Sequence, residues 1–267
     1  MMGGSSDRRE PDIVTGFDPV AMRSRDPVVF RQATTGWPVH DIVADGRLVE
    51  VFGAIDIVAR HAGRGAEWRV GLGEFVDHIT ASDAEDGWYA KDWVVADRMD
   101  TLVGGDLPPG FRSWLDKLPV GHRPRWAWMF LGANGSGSPL HVDTMCSSAW
   151  NLLLSGRKKW VLLSPEASVE AGRLEPEVAE VLDPGVRTVE WEQQPGECLL
   201  VPSGWAHRVV NLTPSMALTG NFVNASNIEP VVAHHAAAGR RNWVTLLRRL
   251  ERVMTATGSP RAGGATD

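Results

Sequence analysis

The sequence predicts a mainly β chain. Its core is a double-stranded β-helix, or jelly roll, with an α/β prelude before it and helices after it. Three observations carry this. From about residue 125 to 224, short apolar runs are separated by Gly- and Pro-containing turns, as many short strands would be. After Glu229 the apolar residues change to helical spacing. Before residue 125, strand-like and helix-like segments mix without an internal repeat. The organisation that follows is a disordered tail over 1–12, a single main domain over 13–228, C-terminal helices over 229–254 and a second disordered tail over 255–267. The 267 residues suffice for such a domain.

The prelude opens with Phe17 and Asp18, then Asp26 to Arg31, which reads as a short buried strand. A turn follows at Thr35, Gly36, Trp37 and Pro38. Residues 47–60 alternate only partly, so a strand and a strand–helix join both fit. Gly71 to Ile79 has the spacing of a short amphipathic helix. Gly87 to Trp93 reads as a strand. Asp106 to Gly110 is a turn, and Phe111 to Leu118 allows one or two helical turns before Pro119.

In the core, Trp126, Trp128 and Phe130 alternate with Ala127 and Met129, as in a strand packed on both faces. Ala133 to Ser138 is a flexible turn. Ala149 to Leu154 and Lys158 to Leu163 are two strands joined by a tight hairpin at Ser155, Gly156 and Arg157. Residues 166–185 are acidic and interrupted by proline, which suits a helix and loop between strands. Thr188 to Trp191, Glu197 to Val201, His207 to Leu212 and Met216 to Val223 complete the strands. From residue 229, Val231, Val232, Trp243, Leu246, Leu247 and Leu250 form an apolar stripe among arginines, with a join at Gly239.

Composition excludes several classes. Hydrophobic content of 43% and charged content of 22% are ordinary for a soluble globule. No apolar run approaches the ~20 residues of a membrane span. The N-terminus has no hydrophobic stretch of the secretory kind. Cys146 and Cys198 form no metal-binding or redox pair, so a reduced cytoplasmic protein is the default. A net charge of −6 argues against a nucleic-acid surface.

The chemistry centres on His141 and Asp143. Side chains two apart on a strand share a face, so an imidazole and a carboxylate from one segment can hold one metal ion. Such a pair alone is common by chance; a surface His and a turn Asp is its ordinary reading. A third ligand is needed, and His207, after the turn at Pro202 to Trp205, is the candidate. Both His lie at the edge of a Gly/Pro turn and an apolar run. Two His and one Asp make the facial triad that binds non-haem Fe(II) and leaves positions open.

The stretch from about Trp126 to Asn224 resembles the catalytic core of the Jumonji-C (cupin-like) hydroxylases, and the resemblance is closest to their lysyl hydroxylase branch. It rests on Trp126–Trp128, Gly137–Asp143, Ser148–Asn151, Gly156–Trp160, Pro195–Glu197, Val201–His207, Val210–Leu212 and Thr219–Phe222. It implies an Fe(II)/2-oxoglutarate-dependent dioxygenase, most simply a hydroxylase of an unactivated C–H bond. Fe(II) would sit on His141, Asp143 and His207, and the cosubstrates would be 2-oxoglutarate and O2. The motif position makes Lys158 the anchor of the distal carboxylate of 2-oxoglutarate. It would point inward and Lys159 outward, since neighbours on a strand face opposite ways. Asn151, Thr219 and Ser138 match residues that line the cosubstrate pocket; a strand-edge Asn, a buried Thr bonded to backbone and a turn Ser are their plainer readings. Trp150, Trp160 and Trp205 are expected to pack the core.

Two other classes compete: a cupin metalloenzyme that does not use 2-oxoglutarate, and a catalytically silent binding protein. Lys158 with Thr219 speaks against the first, the complete triad against the second. The substrate is either a protein or peptide side chain or an amino-acid-like small molecule. The loops 83–92, 144–148 and 166–187 would select it. Their acidic residues, Asp83, Glu85, Asp86 and the run Glu170 to Glu180, fit either attraction of a cation or plain solvation. The C-terminal stripe suggests a homodimer with Trp243 or Leu247 near a two-fold axis; docking onto the chain's own barrel is the alternative.

Overall fold

A computed structural model describes residues 8–81, 85–167 and 185–258. Eight strands form the barrel: β7 (Ala127–Gly132), β8 (Gly137–His141), β9 (Ser148–Ser155), β10 (Lys158–Leu163), β11 (Thr188–Gln193), β12 (Glu197–Val201), β13 (Ala206–Asn211) and β14 (Ser215–Phe222). One sheet has the order β11-β10-β13-β8 at its centre, the other β12-β9-β14-β7. The chain crosses between sheets at almost every turn, which is jelly-roll topology. Apolar side chains from both sheets meet between them: Val29, Ala149, Leu199 and Val201 from one, Trp160, Leu162, Val189 and Val209 from the other.

The larger sheet is extended by the prelude. Strands β2 (Asp12–Thr15) and β3 (Val28–Arg31) add beside β12. Strands β4 (Asp56–His61), β5 (Glu67–Gly71) and β6 (Trp88–Val94) add beyond β7. The short helices α1 (Val39–Ala44), α2 (Leu48–Phe52) and α3 (Leu72–Thr80) then cover its outer face. Their Val39, Ile42, Leu48 and Phe75 are buried in the same cluster as Trp150, Leu152 and Leu218. The partial alternation of residues 47–60 resolves as a helix followed by a strand. Residues 111–118 form one 3-10 turn (Trp114–Lys117), closed at its start by a capping box between Ser113 and Asp116.

At the termini the chain departs from the tails expected over 1–12 and 255–267. Strand β1 (Arg8–Arg9) pairs in parallel with Thr188 and Val189, and β2 begins at Asp12. Polar composition hid this, because edge pairing uses backbone hydrogen bonds and needs no apolar side chains. The acidic insertion fell mostly outside the described residues, as do Asp83 and Glu170 to Glu180.

The C-terminal helices are α5 (Ile228–Ala237) and α6 (Arg241–Gly258), with α4 (Met99–Val103) earlier in the chain. Gly239 stands between α5 and α6 with φ of +68°, a conformation that favours glycine. The apolar stripe folds back on its own chain. Val231, Val232 and Leu247 are buried against Leu115 and Val223, with Trp114 and Met145 beside them. Leu247, expected near a two-fold axis, is wholly covered inside the monomer. At Leu247 the stripe is therefore covered by the chain itself, and it leaves no exposed face there for a second subunit.

Candidate metal and cosubstrate site

The two histidines are direct cross-strand partners. His141 ends β8, and His207 lies opposite it on β13. Their ring centroids are 4.3 Å apart. The approach of the two strands depends on Gly137, four residues earlier, where a Cβ would run into the carbonyl oxygen of Val209. Asp143 does not continue the strand as the sequence suggested. It stands just past the end of β8, at the N-cap of the 3-10 turn Thr144–Cys146. Its backbone is still extended, with φ −56° and ψ 151°, so the alternation that brings it to the face of His141 survives. Met145 and Cys146, which follow it, both have positive φ, an uncommon conformation for such residues.

His141, Asp143 and His207 bring one ligand atom each to within 4.8 Å of one another. The hydrogen bonds of the rings settle which atoms face the centre. His141 Nδ1 lies 2.8 Å from the carbonyl oxygen of Pro139, and His207 Nδ1 lies 3.2 Å from that of Trp205. A carbonyl only accepts, so each Nδ1 carries the proton and donates. Each Nε2 keeps its lone pair for a metal. Burial pushes the His207 pKa down to about 4, with Asp143 opposing the shift and His141 adding to it. The ring is thus a neutral ligand at physiological pH.

A cavity of about 330 Å³ runs from the triad into the barrel. Lys158, Asn151, Thr219 and Ser138 all line it. Lys158 is buried and its neighbour Lys159 is exposed, paired with Glu190 at 3.4 Å. The Lys158 ammonium donates to the Tyr89 hydroxyl at 3.3 Å and lies over the Phe130 ring. No carboxylate accompanies it among the described residues, and burial pushes its pKa down to about 7. Asn151 and Thr219 face each other across β9 and β14. The Asn151 side-chain oxygen is buried without a hydrogen-bond partner. Thr219 donates to the Trp150 carbonyl at 2.7 Å, the backbone bond expected of a buried strand Thr, while still lining the cavity.

Tyr89 is the residue that sequence reasoning missed. It is the only tyrosine of the chain and sits on β6, far from the motif segments. Trp160 lines the cavity as well as packing, with its ring 5.7 Å from that of His207. Trp150 and Trp205 are buried core residues.

Comparison with known proteins agrees with this arrangement. A profile described as "JmjC domain, hydroxylase" matches residues 171–222, which include His207 and Thr219. Over these residues the chain is similar to the Jumonji-C domain, and relatives similar to it over longer stretches carry Jumonji-C names. Among Jumonji-C proteins it is 29% identical to the arginine-specific demethylase JMJ22 of Arabidopsis thaliana over 81% of this chain and 45% of that protein. It is 28% identical to the bifunctional arginine demethylase and lysyl-hydroxylase psr-1 of Caenorhabditis elegans, over 84% of this chain and 63% of that one. It is 34% identical to the 2-oxoglutarate and iron-dependent oxygenase JMJD4 of Mus musculus, over 52% and 37%. The chain thus spans less than two thirds of the length of these relatives.

Proposed function

We propose that the protein is an Fe(II)- and 2-oxoglutarate-dependent oxygenase that hydroxylates an unactivated C–H bond. The observation that carries the reading is the pairing, in one cavity, of the His141–Asp143–His207 triad with the buried Lys158. The donor set suits the metal: two imidazoles and one carboxylate on one side of a point leave the other side open. The rest of the cavity suits the cosubstrate. A buried ammonium without an anion is costly, and a dicarboxylate supplies the missing partner. Tyr89 shares that end of the cavity, and the orphaned Asn151 side chain marks a polar position a ligand or its water would satisfy.

Iron(II) with 2-oxoglutarate supplies the electrons that O2 activation requires. The chain's own residues do the positioning. His141 and His207 hold their Nε2 atoms in place through the Nδ1 bonds to Pro139 and Trp205. Lys158 and Tyr89 would hold the distal carboxylate of the cosubstrate, and Asn151 and Thr219 line the same cavity. Trp128, Phe130 and Trp160 give the cavity aromatic walls. A cupin enzyme without 2-oxoglutarate would give Lys158 no task.

The substrate is a protein or peptide side chain or an amino-acid-like small molecule. Relatives named for arginine demethylation and lysyl hydroxylation support the first source. Release of succinate and CO2 from 2-oxoglutarate, with and without Fe(II), tests the reading. Iron-dependent release is expected; its absence from correctly metallated protein overturns the proposal.

A further inference from the structure

The oxygenase reading, on which this inference rests, leaves one cation of the cavity without a task. Strand β6 carries Tyr89 toward Lys158, and directly after it the pairing with β7 slips. Ala90 faces Leu131 and Trp93 faces Met129, so Lys91 and Asp92 together stand opposite one residue of β7. A bulge of this kind re-aims side chains. Here both Lys91 and Asp92 line the cavity of the triad.

The two do not neutralise each other. Asp92 is ion-paired to Arg60 on β4, which also reaches Glu67 at 3.3 Å. Lys91 is half-buried and has no ion pair or hydrogen bond among the described residues. Burial and the nearby Arg60 both lower its pKa, as expected for a cation short of an anion. A second cavity shares Tyr89, Lys91, Ser138 and Val209 with the first and adds Arg60, His61 and Arg208. Arg60 there is already paired with Asp92 and Glu67, whereas Lys91, shared by both cavities, has no such partner among the described residues.

We propose that Lys91 selects the substrate by pairing with a carboxylate carried by the molecule that is oxidised. Within the oxygenase reading, Asp143 answers the metal and Lys158 answers the cosubstrate, so Lys91 is the cation left for the substrate. A lysine or arginine side chain passing it would meet like charge in a partly desolvated setting. The carboxylate belongs either to an acidic residue of a peptide or to a free acid, and the shared chemistry is the same.

The test uses the protein loaded with Fe(II) and 2-oxoglutarate under argon, and reads binding by tryptophan fluorescence, since Trp128 and Trp160 line the cavity. The probes are end-blocked pentapeptides, Gly-Gly-X-Gly-Gly with X as Glu, Gln or Lys, and N-acetylglutamate with its diamide. The Glu peptide or N-acetylglutamate should bind at least fivefold more tightly than its uncharged counterpart, and the Lys peptide most weakly. Which of the two acids binds better separates a peptide source from a free acid. Lys91→Met should abolish the preference, and Lys91→Glu should reverse it toward Lys. Equal binding of acid and amide, no binding of either acid at millimolar concentration, or a preference that persists in Lys91→Met overturns the proposal. Calorimetric titration of 2-oxoglutarate into the iron-loaded protein separates the two failures. If wild type does not bind it, the oxygenase reading fails. If wild type binds it and Lys91→Met loses it as Lys158→Ala does, Lys91 serves the cosubstrate and this inference fails alone.

Discussion

A buried lysine is an expensive residue, and Lys158 shows what the expense implies. Its ammonium has the Tyr89 phenol and the Phe130 ring for company and no anion among the described residues. Lys158→Ala should lower 2-oxoglutarate affinity at least tenfold, consistent with the ~1.5–3 kcal/mol typical of a charge-assisted hydrogen bond. Iron affinity should stay. Lys159→Ala, which removes only the exposed pair to Glu190, should leave both unchanged in the same calorimetric titrations. The ligand-free protein should also show the cost directly. Lysine normally titrates near 10.5, and in the fold Lys158 titrates at about 7. Between these values the unfolded chain holds a proton that the folded chain lacks, so stability should rise with pH across that window. At about 1.4 kcal/mol per pKa unit, the penalty below pH 7 is on the order of 5 kcal/mol. Lys158→Met should therefore melt higher than wild type at pH 7, with the gap closing toward pH 10 in scanning calorimetry. Strand alternation made it legible that only one of Lys158 and Lys159 points inward, and the motif position said which. Tyr89 was not, because nothing in its local sequence tells which strand lies beside it.

At the level of strands, the site depends on how closely β8 lies against β13. Gly137 leaves no room for a Cβ beneath the Val209 carbonyl, and the same pairing sets His141 opposite His207. Gly137→Ala should push the strands apart and move one imidazole off the common point. Loss of supporting geometry at metal sites typically costs roughly 10–100-fold in affinity. An Fe(II) or Co(II) titration should show at least a tenfold loss while the circular dichroism of the barrel is retained. Unchanged affinity would mean that the strands adjust without moving the triad. The barrel strands themselves were readable from short apolar runs between Gly and Pro turns. The bulge in β6 was not, because a bulge is a mismatch between two strands and only one of them appears in any local stretch. The same holds for β1, whose pairing with β11 joins Arg8 to Thr188, 180 residues further along the chain.

Across the whole molecule, the C-terminal helices tie the far end of the chain to the metal site. Helix α5 packs on the 3-10 turn that follows Asp143. Asn227 at its start donates to Ser148 at 2.9 Å, and Asn221 donates to Ser147 at 2.9 Å, so hydrogen bonds fix the same segment. The apolar residues of α5 and α6 were legible as one stripe, but a stripe does not say what covers it. In the fold Leu247 lies against Leu115, Val223 and Val231, all buried. Trp243 stays partly exposed and stacks on His235, with ring centroids 5.5 Å apart. A charge at Leu247 should therefore disrupt the monomer and not separate two subunits. Burying an unpaired carboxylate or leaving a Leu-sized void each costs several kcal/mol, roughly 2–5 for the void alone. Leu247→Asp should lower the melting temperature by at least several degrees, and it should weaken Fe(II) binding because the turn beyond Asp143 loses its support. Trp243→Ala should do neither to the same extent. If Leu247→Asp instead halves the mass seen by light scattering while melting temperature and metal affinity hold, the helices serve a dimer and not the turn.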